Sequence, residues 1–232
     1  MKAVLNEAQR CPLNGRTPNT GCRGSIPAGA ALSAWLVLAA GAAAAQEAPV
    51  DLELVLAVDV SRSMDLDELR LQREGYVRAF RNPLVANAIR YGGTGRIAVT
   101  YVEWAGPGEH RIIAPWTGIA NAVDAEDFAE LLAGDPIGNM RGTSISGAIA
   151  FGARLFNGNG FHGRRRLIDV SGDGPNKDGV PVLAARQAAL ERGIVINGLP
   201  IQLTAPDLSG PFEIVPLDIY YQDCVIGGFG AF

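Results

Sequence analysis

The chain has 232 residues, 20 Lys and Arg against 24 Asp and Glu, and a formal net charge of −4. This length suits one domain with a sizeable hydrophobic core. An acidic chain is poorly suited to bind the phosphate backbone of a nucleic acid, so we expect no nucleic-acid partner.

Residues 1–45 have the pattern of a secretory signal peptide. Four basic residues precede an apolar stretch at residues 28–40, and Ala43-Ala44-Ala45 offers a small-x-small cleavage site. The apolar stretch is short for a membrane span, and a retained membrane anchor is the alternative interpretation. We therefore expect cleavage after Ala45 and a product in the periplasm or outside the cell, without a stable membrane span.

Cleavage would leave residues 46–232 as the folded domain. The leader carries four basic residues and Glu7, so the remaining chain would have a net charge of −7. Two of the three cysteines would leave with the leader, and Cys224 alone cannot form an intramolecular disulfide. Because two apolar residues follow it directly, we expect Cys224 to be buried.

The first predicted strand ends in a carboxylate. Residues 54–58 are five apolar residues in a row, which is typical of a strand covered on both faces, as in a parallel sheet. Asp59, Ser61 and Ser63 follow at alternate positions. Mg²⁺ takes oxygen ligands in an octahedron and keeps several waters, so one carboxylate and two hydroxyls make a partial cage for this ion.

The next elements are predicted from periodicity and turn residues. In chain order they are a helix after Asp65, strands at 97–104 and 111–116, a short helix at 125–132 and a helix at 144–156. Asp65, with Glu68 three residues later, is expected to cap the first of these helices. Its predicted core face consists of Leu69, Tyr76, Val77 and Phe80. Pro115 fits an edge strand, where its missing N–H does no harm.

Two later segments place further oxygen ligands in equivalent positions. Thr143 lies in a glycine-containing loop before a predicted helix, and Asp173 follows the apolar strand at residues 167–170. Open α/β sheets bind ligands outside the carboxyl ends of their strands, so Asp59, Thr143 and Asp173 are expected to meet in one crevice. A helix at 182–192 and a strand at 194–201 complete a doubly wound α/β pattern.

Asp-x-Ser-x-Ser, then Thr, then Asp-Gly, in this order, resembles the von Willebrand factor type A domain. The resemblance covers the chain from about Val50 onward. It implies a doubly wound, mostly parallel sheet with one antiparallel edge strand. It also implies a metal ion-dependent adhesion site that holds Mg²⁺, or Mn²⁺ or Ca²⁺ in its place. The residues that match this site are Asp59, Ser61, Ser63, Thr143 and Asp173.

The C-terminus departs from the type A pattern. Type A domains close with a further strand and a long helix, whereas this sequence stops at residues 227–232, where that strand should start. Either the sequence is truncated or the gene is short. In both cases we expect one sheet edge and one face of the core to be less covered than in a complete type A domain.

Three segments carry a narrower resemblance. Residues 99–104, 168–176 and 220–228 look like a bacterial family of secreted type A-like proteins that has no assigned function. This resemblance sharpens the expected fold and compartment and adds little about activity.

The acidic residues also have purely structural interpretations. Asp59 or either serine could cap the following helix, although this does not explain the equivalent placement of Thr143 and Asp173. Asp169, inside a later strand, is expected to pair with an arginine or a backbone group rather than with metal. A calcium loop starting at Asp173 is discounted, because Ala184 stands where an EF-hand needs its bidentate Glu. Trp104 and Trp116 are expected in the core or partly in it.

The sequence favours binding over catalysis. It contains no Gly-x-Ser-x-Gly elbow and no Gly-Lys-Ser/Thr phosphate loop, and neither of its two histidines has a companion at metal-ligand spacing. Two carboxylates barely balance a divalent ion, which would then seek an Asp or Glu of a protein partner. We expect a non-enzymatic adhesion-type module. The alternatives are a metal-dependent hydrolase of the cell envelope and a metal-free scaffold.

Overall fold

The computed structural model describes residues 47–202 and 216–232. The predicted signal peptide at residues 1–45 lies outside these residues. The strands are β1 (Ala48–Asp59), β2 (Ile97–Trp104), β3 (His110–Ile119), β4 (Phe161–Gly172) and β5 (Ile194–Pro200). The helices are α1 (Leu66–Arg81), α2 (Pro83–Arg90), α3 (Ala122–Gly134), α4 (Ile145–Leu155), α5 (Val182–Glu191) and α6 (Leu217–Tyr220), followed by a π-helix (Tyr221–Val225).

The five strands form one sheet in the order β3-β2-β1-β4-β5. β1 pairs in parallel with β2 and β4, β4 pairs in parallel with β5, and β3 is antiparallel to β2 at the edge. This confirms the predicted doubly wound sheet with one antiparallel edge strand. β1 lies in the centre of the sheet, with β2 and β3 on one side and β4 and β5 on the other. In such folds, ligands bind in the crevice outside the carboxyl ends of the strands where the order reverses, which here is between β1 and β4.

β1 is apolar in a continuous run because helices cover both of its faces. Side chains alternate across a strand. Val55 and Ala57 belong to a core cluster with α4, α5 and the π-helix, whereas Leu56 and Val58 belong to a cluster with α1, α2 and α3. Asp59 is therefore the last of five consecutive buried residues at the end of this strand.

The predicted elements are present, and caps explain where they begin. Asp65 accepts hydrogen bonds from the backbone of Asp67 and Glu68, and the Glu68 side chain accepts from the backbone of Asp65, so the predicted capping box is confirmed. α3 starts at Ala122, three residues before its predicted start, because the Asn121 side chain caps it. None of the helices in the described part of the chain is both long and apolar enough to cross a membrane.

A buried ion pair fixes the loop that leads to Thr143. Glu103 of β2 is 0% exposed and accepts hydrogen bonds from Arg73 of α1 at 2.5 Å, Arg111 of β3 at 2.9 Å and the Gly138 backbone at 3.0 Å. Arg111 also donates to Asp135 at 2.8 Å. The two guanidinium groups compensate a carboxylate that has no access to water, so the network holds together three elements and the loop after α3.

The structure corrects two expectations about single side chains. Cys224 is half-buried rather than buried, and it packs against the edge of the core cluster on the α4 and α5 face. Asp169 has no arginine or backbone partner among the described residues, and burial raises the pKa of its carboxyl group. The two tryptophans lie as predicted: Trp104 is 0% exposed, and Trp116 is partly buried and donates to the Leu155 carbonyl at 3.0 Å.

The C-terminal residues cover part of the sheet edge that was expected to be open. Gly227 forms an antiparallel bridge with Ile196 of β5, and the Gly198 backbone donates to Phe232 at 3.0 Å. A mostly apolar groove lies between α1 and the end of β5, on the face of the sheet that α1 covers. Residues that line this groove include Leu71, Gly75, Ala79, Leu199 and Ile201.

Candidate metal site at the carboxyl ends of β1 and β4

Asp59 shapes the loop that follows β1. Its Oδ1 accepts a hydrogen bond from the Ser61 backbone N–H at 2.7 Å, so the chain turns directly after the strand. Both residues are almost completely inaccessible to solvent, at 0% and 1% exposed. The turn places the Ser61 hydroxyl at the end of the sheet, whereas Ser63 and Arg62 are exposed.

Hydroxyl and carboxylate oxygens link this loop to the loop after β4. The hydroxyls of Ser61 and Ser63 are hydrogen-bonded at 2.8 Å, and the Ser63 hydroxyl donates to Oδ1 of Asp173 at 2.8 Å. Asp173 lies one residue beyond β4, next to β1 in the sheet. The structure thus brings four of the five predicted ligands into one cluster.

Thr143 lies in the neighbouring loop and is held through its backbone. The Thr143 N–H donates to Oδ2 of Asp178 at 2.9 Å, and the Thr143 carbonyl accepts from Lys177 and Asp178 at 2.9 and 3.0 Å. A bridge between Ser61 and Met140 brings this loop against the end of β1. No hydrogen bond among the described residues joins the Thr143 hydroxyl to the other four side chains.

The loop after β4 contains two residues whose roles the sequence did not reveal. Asp178 caps the Thr143 loop, and Oδ1 of Asn176 accepts from the Ser146 backbone at 2.8 Å at the start of α4. The sequence signal for both residues was the polar run after Asp173, which did not match the spacing of an EF-hand calcium loop. These contacts join residues about 30 positions apart, so spacing along the chain could not predict them.

The other carboxylate oxygen of Asp59 is unpartnered. Oδ2 is buried and has no hydrogen-bond partner among the described residues. The pKa of Asp59 is raised to about 7, chiefly by burial and in addition by the negative charge of Asp173, whereas the hydrogen bonds from Ser61 lower it. A cation bound beside the hydroxyl groups would compensate the negative charge of this desolvated carboxylate.

The donor set is made of oxygen atoms alone. Two carboxylates and three hydroxyls suit a hard cation such as Mg²⁺, Mn²⁺ or Ca²⁺. Among the residues that the structure describes, no group of three or more His, Cys, Asp or Glu side chains could hold a metal ion. Because two of their side chains are carboxylates and three are hydroxyls, the five residues fit a site that relies on hydroxyls and water in addition to carboxylates.

Most of this chain matches the model of one protein family. Residues 49–232 match the family model described as "Protein of unknown function (DUF1194)". The chain belongs to this family. The match confirms that the narrower resemblance seen in the sequence points to a family of unknown function. No curated protein is similar enough to this DUF1194 member to count as a match.

Several solved structures are similar to this DUF1194 member. The pilus adhesin SpaC from Lactobacillus rhamnosus GG has a TM-score of 0.50 and 15% identity over 70% of this chain and 26% of its own. A von Willebrand factor type A protein from Catenulispora acidiphila has a TM-score of 0.46 and 14% identity over 64% of this chain and 33% of its own.

A third structure is proximal thread matrix protein 1 from the mussel byssus, described with a zinc-occupied MIDAS motif. Its TM-score is 0.47, with 14% identity over 66% of this chain and 39% of its own. This DUF1194 chain spans well under half the length of each of the three structures. At these identities the likeness concerns the fold alone, and the strand order is itself the doubly wound, mostly parallel arrangement that the type A resemblance in the sequence implies.

Proposed function

We propose that this protein is an exported, metal-dependent protein-binding module. In this proposal, Asp59, Ser61, Ser63, Thr143 and Asp173 hold a divalent cation, and the cation binds a carboxylate of a partner protein. The observation that carries the proposal is the buried, unpartnered Oδ2 of Asp59 beside the linked oxygens of Ser61, Ser63 and Asp173.

The residues of the site would contribute two kinds of oxygen ligand, charged and neutral. Asp59 and Asp173 would supply the negative charge, and the hydroxyls of Ser61, Ser63 and Thr143 would supply neutral oxygens. When bound, Mg²⁺ or a similar ion would contribute an electrophilic coordination position that a partner's Asp or Glu can fill. Because the protein itself is acidic, an acidic partner would otherwise be repelled.

Binding without turnover is the activity that these side chains support. Asp178, a further carboxylate next to Thr143, accepts a hydrogen bond from the Thr143 backbone N–H at 2.9 Å, which gives it a structural role in this loop. His110 instead stacks on Phe151, with ring centroids 4.4 Å apart. A hydrolase of the cell envelope is therefore the weaker alternative.

A metal-free scaffold is the second candidate, and one observation favours it. The Ser61, Ser63 and Asp173 side chains satisfy one another through hydrogen bonds without any added group. The unpartnered Oδ2 of Asp59 is what this alternative leaves unexplained. Calorimetric titration of Mg²⁺ and Mn²⁺ into residues 46–232 distinguishes the two candidates, because the scaffold gives no binding heat.

Export belongs to the same proposal. Residues 1–45 are proposed to be a cleaved signal peptide, residues 46–232 to form the type A-like domain, and the product to be periplasmic or secreted. The family match starts at residue 49, three residues beyond the proposed N-terminus at residue 46 and its preceding cleavage site, counted as residues 46, 47 and 48. An envelope location would bring the site to protein partners outside the cytoplasm.

A pull-down from envelope extract tests the binding function. We expect partners that are retained with Mg²⁺ and lost with a chelator, and lost again when Asp173→Ala is the bait. Asp169→Ala is the matched control, since Asp169 is a half-buried carboxylate on β4, the strand that leads to Asp173, and lies outside the cluster. Recovery of the same partners with and without metal would replace the metal-bridged mechanism by the scaffold.

A further inference from the structure

The C-terminal π-helix carries a tyrosine hydroxyl to the candidate metal site. Tyr221 opens the π-helix, whose wide turn is closed by a hydrogen bond from the Ile226 N–H to the Tyr221 carbonyl at 2.8 Å. Its side chain is 0% exposed and belongs to the core cluster on the α4 and α5 face. Such wide turns are frequent at functional sites.

Two glycines make room for Tyr221. A Cβ atom on Gly198 of β5 would lie 2.7 Å from Cδ1 of the tyrosine ring, and a Cβ atom on Gly172 of β4 would lie 2.8 Å from the hydroxyl oxygen. Both distances are too short for real contacts, so a side chain at either position would displace the tyrosine. Glycine at these positions admits the ring to the carboxyl end of the sheet.

The same space beside Gly172 is bordered by Asp59. A Cβ atom on Gly172 would lie 2.9 Å from Oδ2 of Asp59, so this oxygen and the Tyr221 hydroxyl face one small volume. Each of these two atoms is buried and has no hydrogen-bond partner among the described residues. Buried polar atoms are rarely left unpartnered, and two of them across one glycine require an explanation.

We propose that Tyr221 is a positioning residue of the metal site, whose hydroxyl donates a hydrogen bond to Oδ2 of Asp59 when this carboxylate engages a divalent cation. The inference rests on the proposed metal site and adds a sixth residue to it. A phenol keeps its proton at neutral pH, so it can serve as a donor to an ionised carboxylate. A carboxylate oxygen has two lone-pair sites, so Oδ2 can accept from Tyr221 and still coordinate the cation, while Oδ1 keeps its hydrogen bond from the Ser61 N–H.

Removal of the Tyr221 hydroxyl should affect metal binding much more than it affects folding. Partners that orient a metal ligand typically contribute about 10–100-fold in metal affinity. Phenylalanine keeps the ring that packs over Gly198 and removes only an oxygen that has no partner. Tyr221→Phe should therefore weaken Mg²⁺ binding about tenfold or more, while the melting temperature without metal stays close to that of the wild type.

Calorimetric titration of Mg²⁺ and Mn²⁺ into wild type, Tyr221→Phe and Tyr76→Phe tests the proposal. Tyr76 is the matched control, because its hydroxyl donates to Ser171 at 3.3 Å, beside Gly172, and Tyr76 packs with the α1-side cluster. We expect Tyr76→Phe to bind metal like the wild type. Equal affinity in Tyr221→Phe, together with lost binding in Asp59→Asn, would overturn the role of Tyr221 and leave the metal site standing.

Two further outcomes are informative. Absence of binding to the wild type would overturn the metal site and the role of Tyr221 together. If Tyr221→Phe does not fold, fluorine NMR of the wild type labelled with 3-fluorotyrosine decides. The chain has five tyrosines, and saturation with Mg²⁺ should shift a buried resonance among them. Five unmoved resonances at saturating Mg²⁺ would overturn the proposal.

Discussion

Replacing Asp59 by asparagine should raise stability without metal and abolish the stability that is gained from Mg²⁺. Asparagine keeps the shape of the side chain and an oxygen that can accept from the Ser61 N–H at the 2.7 Å contact. It removes the charge that burial disfavours and that a cation would compensate. The single substitution therefore separates the free-energy cost of burying the carboxylate from the contribution of this carboxylate to cation binding.

The magnitude follows from the pKa of Asp59. Burial raises this pKa from 3.8 to about 7, so the folded chain holds the proton more tightly than the unfolded chain does. Stability without metal should therefore fall as the pH rises from about 4 to about 7 and stay low above that. A difference of about 3 pH units between the two pKa values corresponds to about 4 kcal/mol at pH 8.

Urea unfolding at pH 4 and pH 8, with chelator or with Mg²⁺, measures both effects. With chelator at pH 8, Asp59→Asn should be more stable than the wild type by up to about 4 kcal/mol, and the two should be nearly equal at pH 4. Mg²⁺ at 100 times its Kd should stabilise the wild type by about 2.7 kcal/mol and the variant not at all. A variant that is less stable than the wild type at pH 8 with chelator would refute the burial argument, and a variant with a full Mg²⁺ response would refute the site.

Three further predictions concern the scaffold, the loop of Thr143 and export. Glu103→Gln should destabilise the fold by about 3–5 kcal/mol in urea unfolding, because two arginines lose a buried partner. As a control, Glu74→Gln in the exposed pair with Arg78 should change stability by less than about 1 kcal/mol. Asp178→Ala should weaken Mg²⁺ binding in calorimetry by releasing the Thr143 loop, and Asp178→Asn, which keeps an acceptor for the Thr143 N–H, should bind nearly as the wild type does. Mass spectrometry of the exported protein should find an N-terminus near residue 46; an intact Met1 on cytosolic protein would contradict the signal peptide.

The sequence alone determined the architecture and the order of the candidate ligands. The continuous apolar run of β1 required cover on both faces, and the Asp65–Glu68 pair marked the start of α1, because these are local properties of strands and caps. The placement of Asp59 at the end of one strand and of Asp173 directly after another put them at one end of a parallel sheet, since parallel strands share their carboxyl ends. The candidate site could be located by such reasoning without any distance.

Only the tertiary structure decided which distant side chains complete these features. Glu103 is recognisable as a buried anion only when Arg73 and Arg111 are seen on two other elements. The unpartnered oxygen of Asp59 and the hydroxyl of Tyr221 meet because Gly172 leaves a space between β4 and the π-helix. Contacts between residues tens to more than a hundred positions apart depend on how the elements pack, and no periodicity or spacing in the chain encodes them.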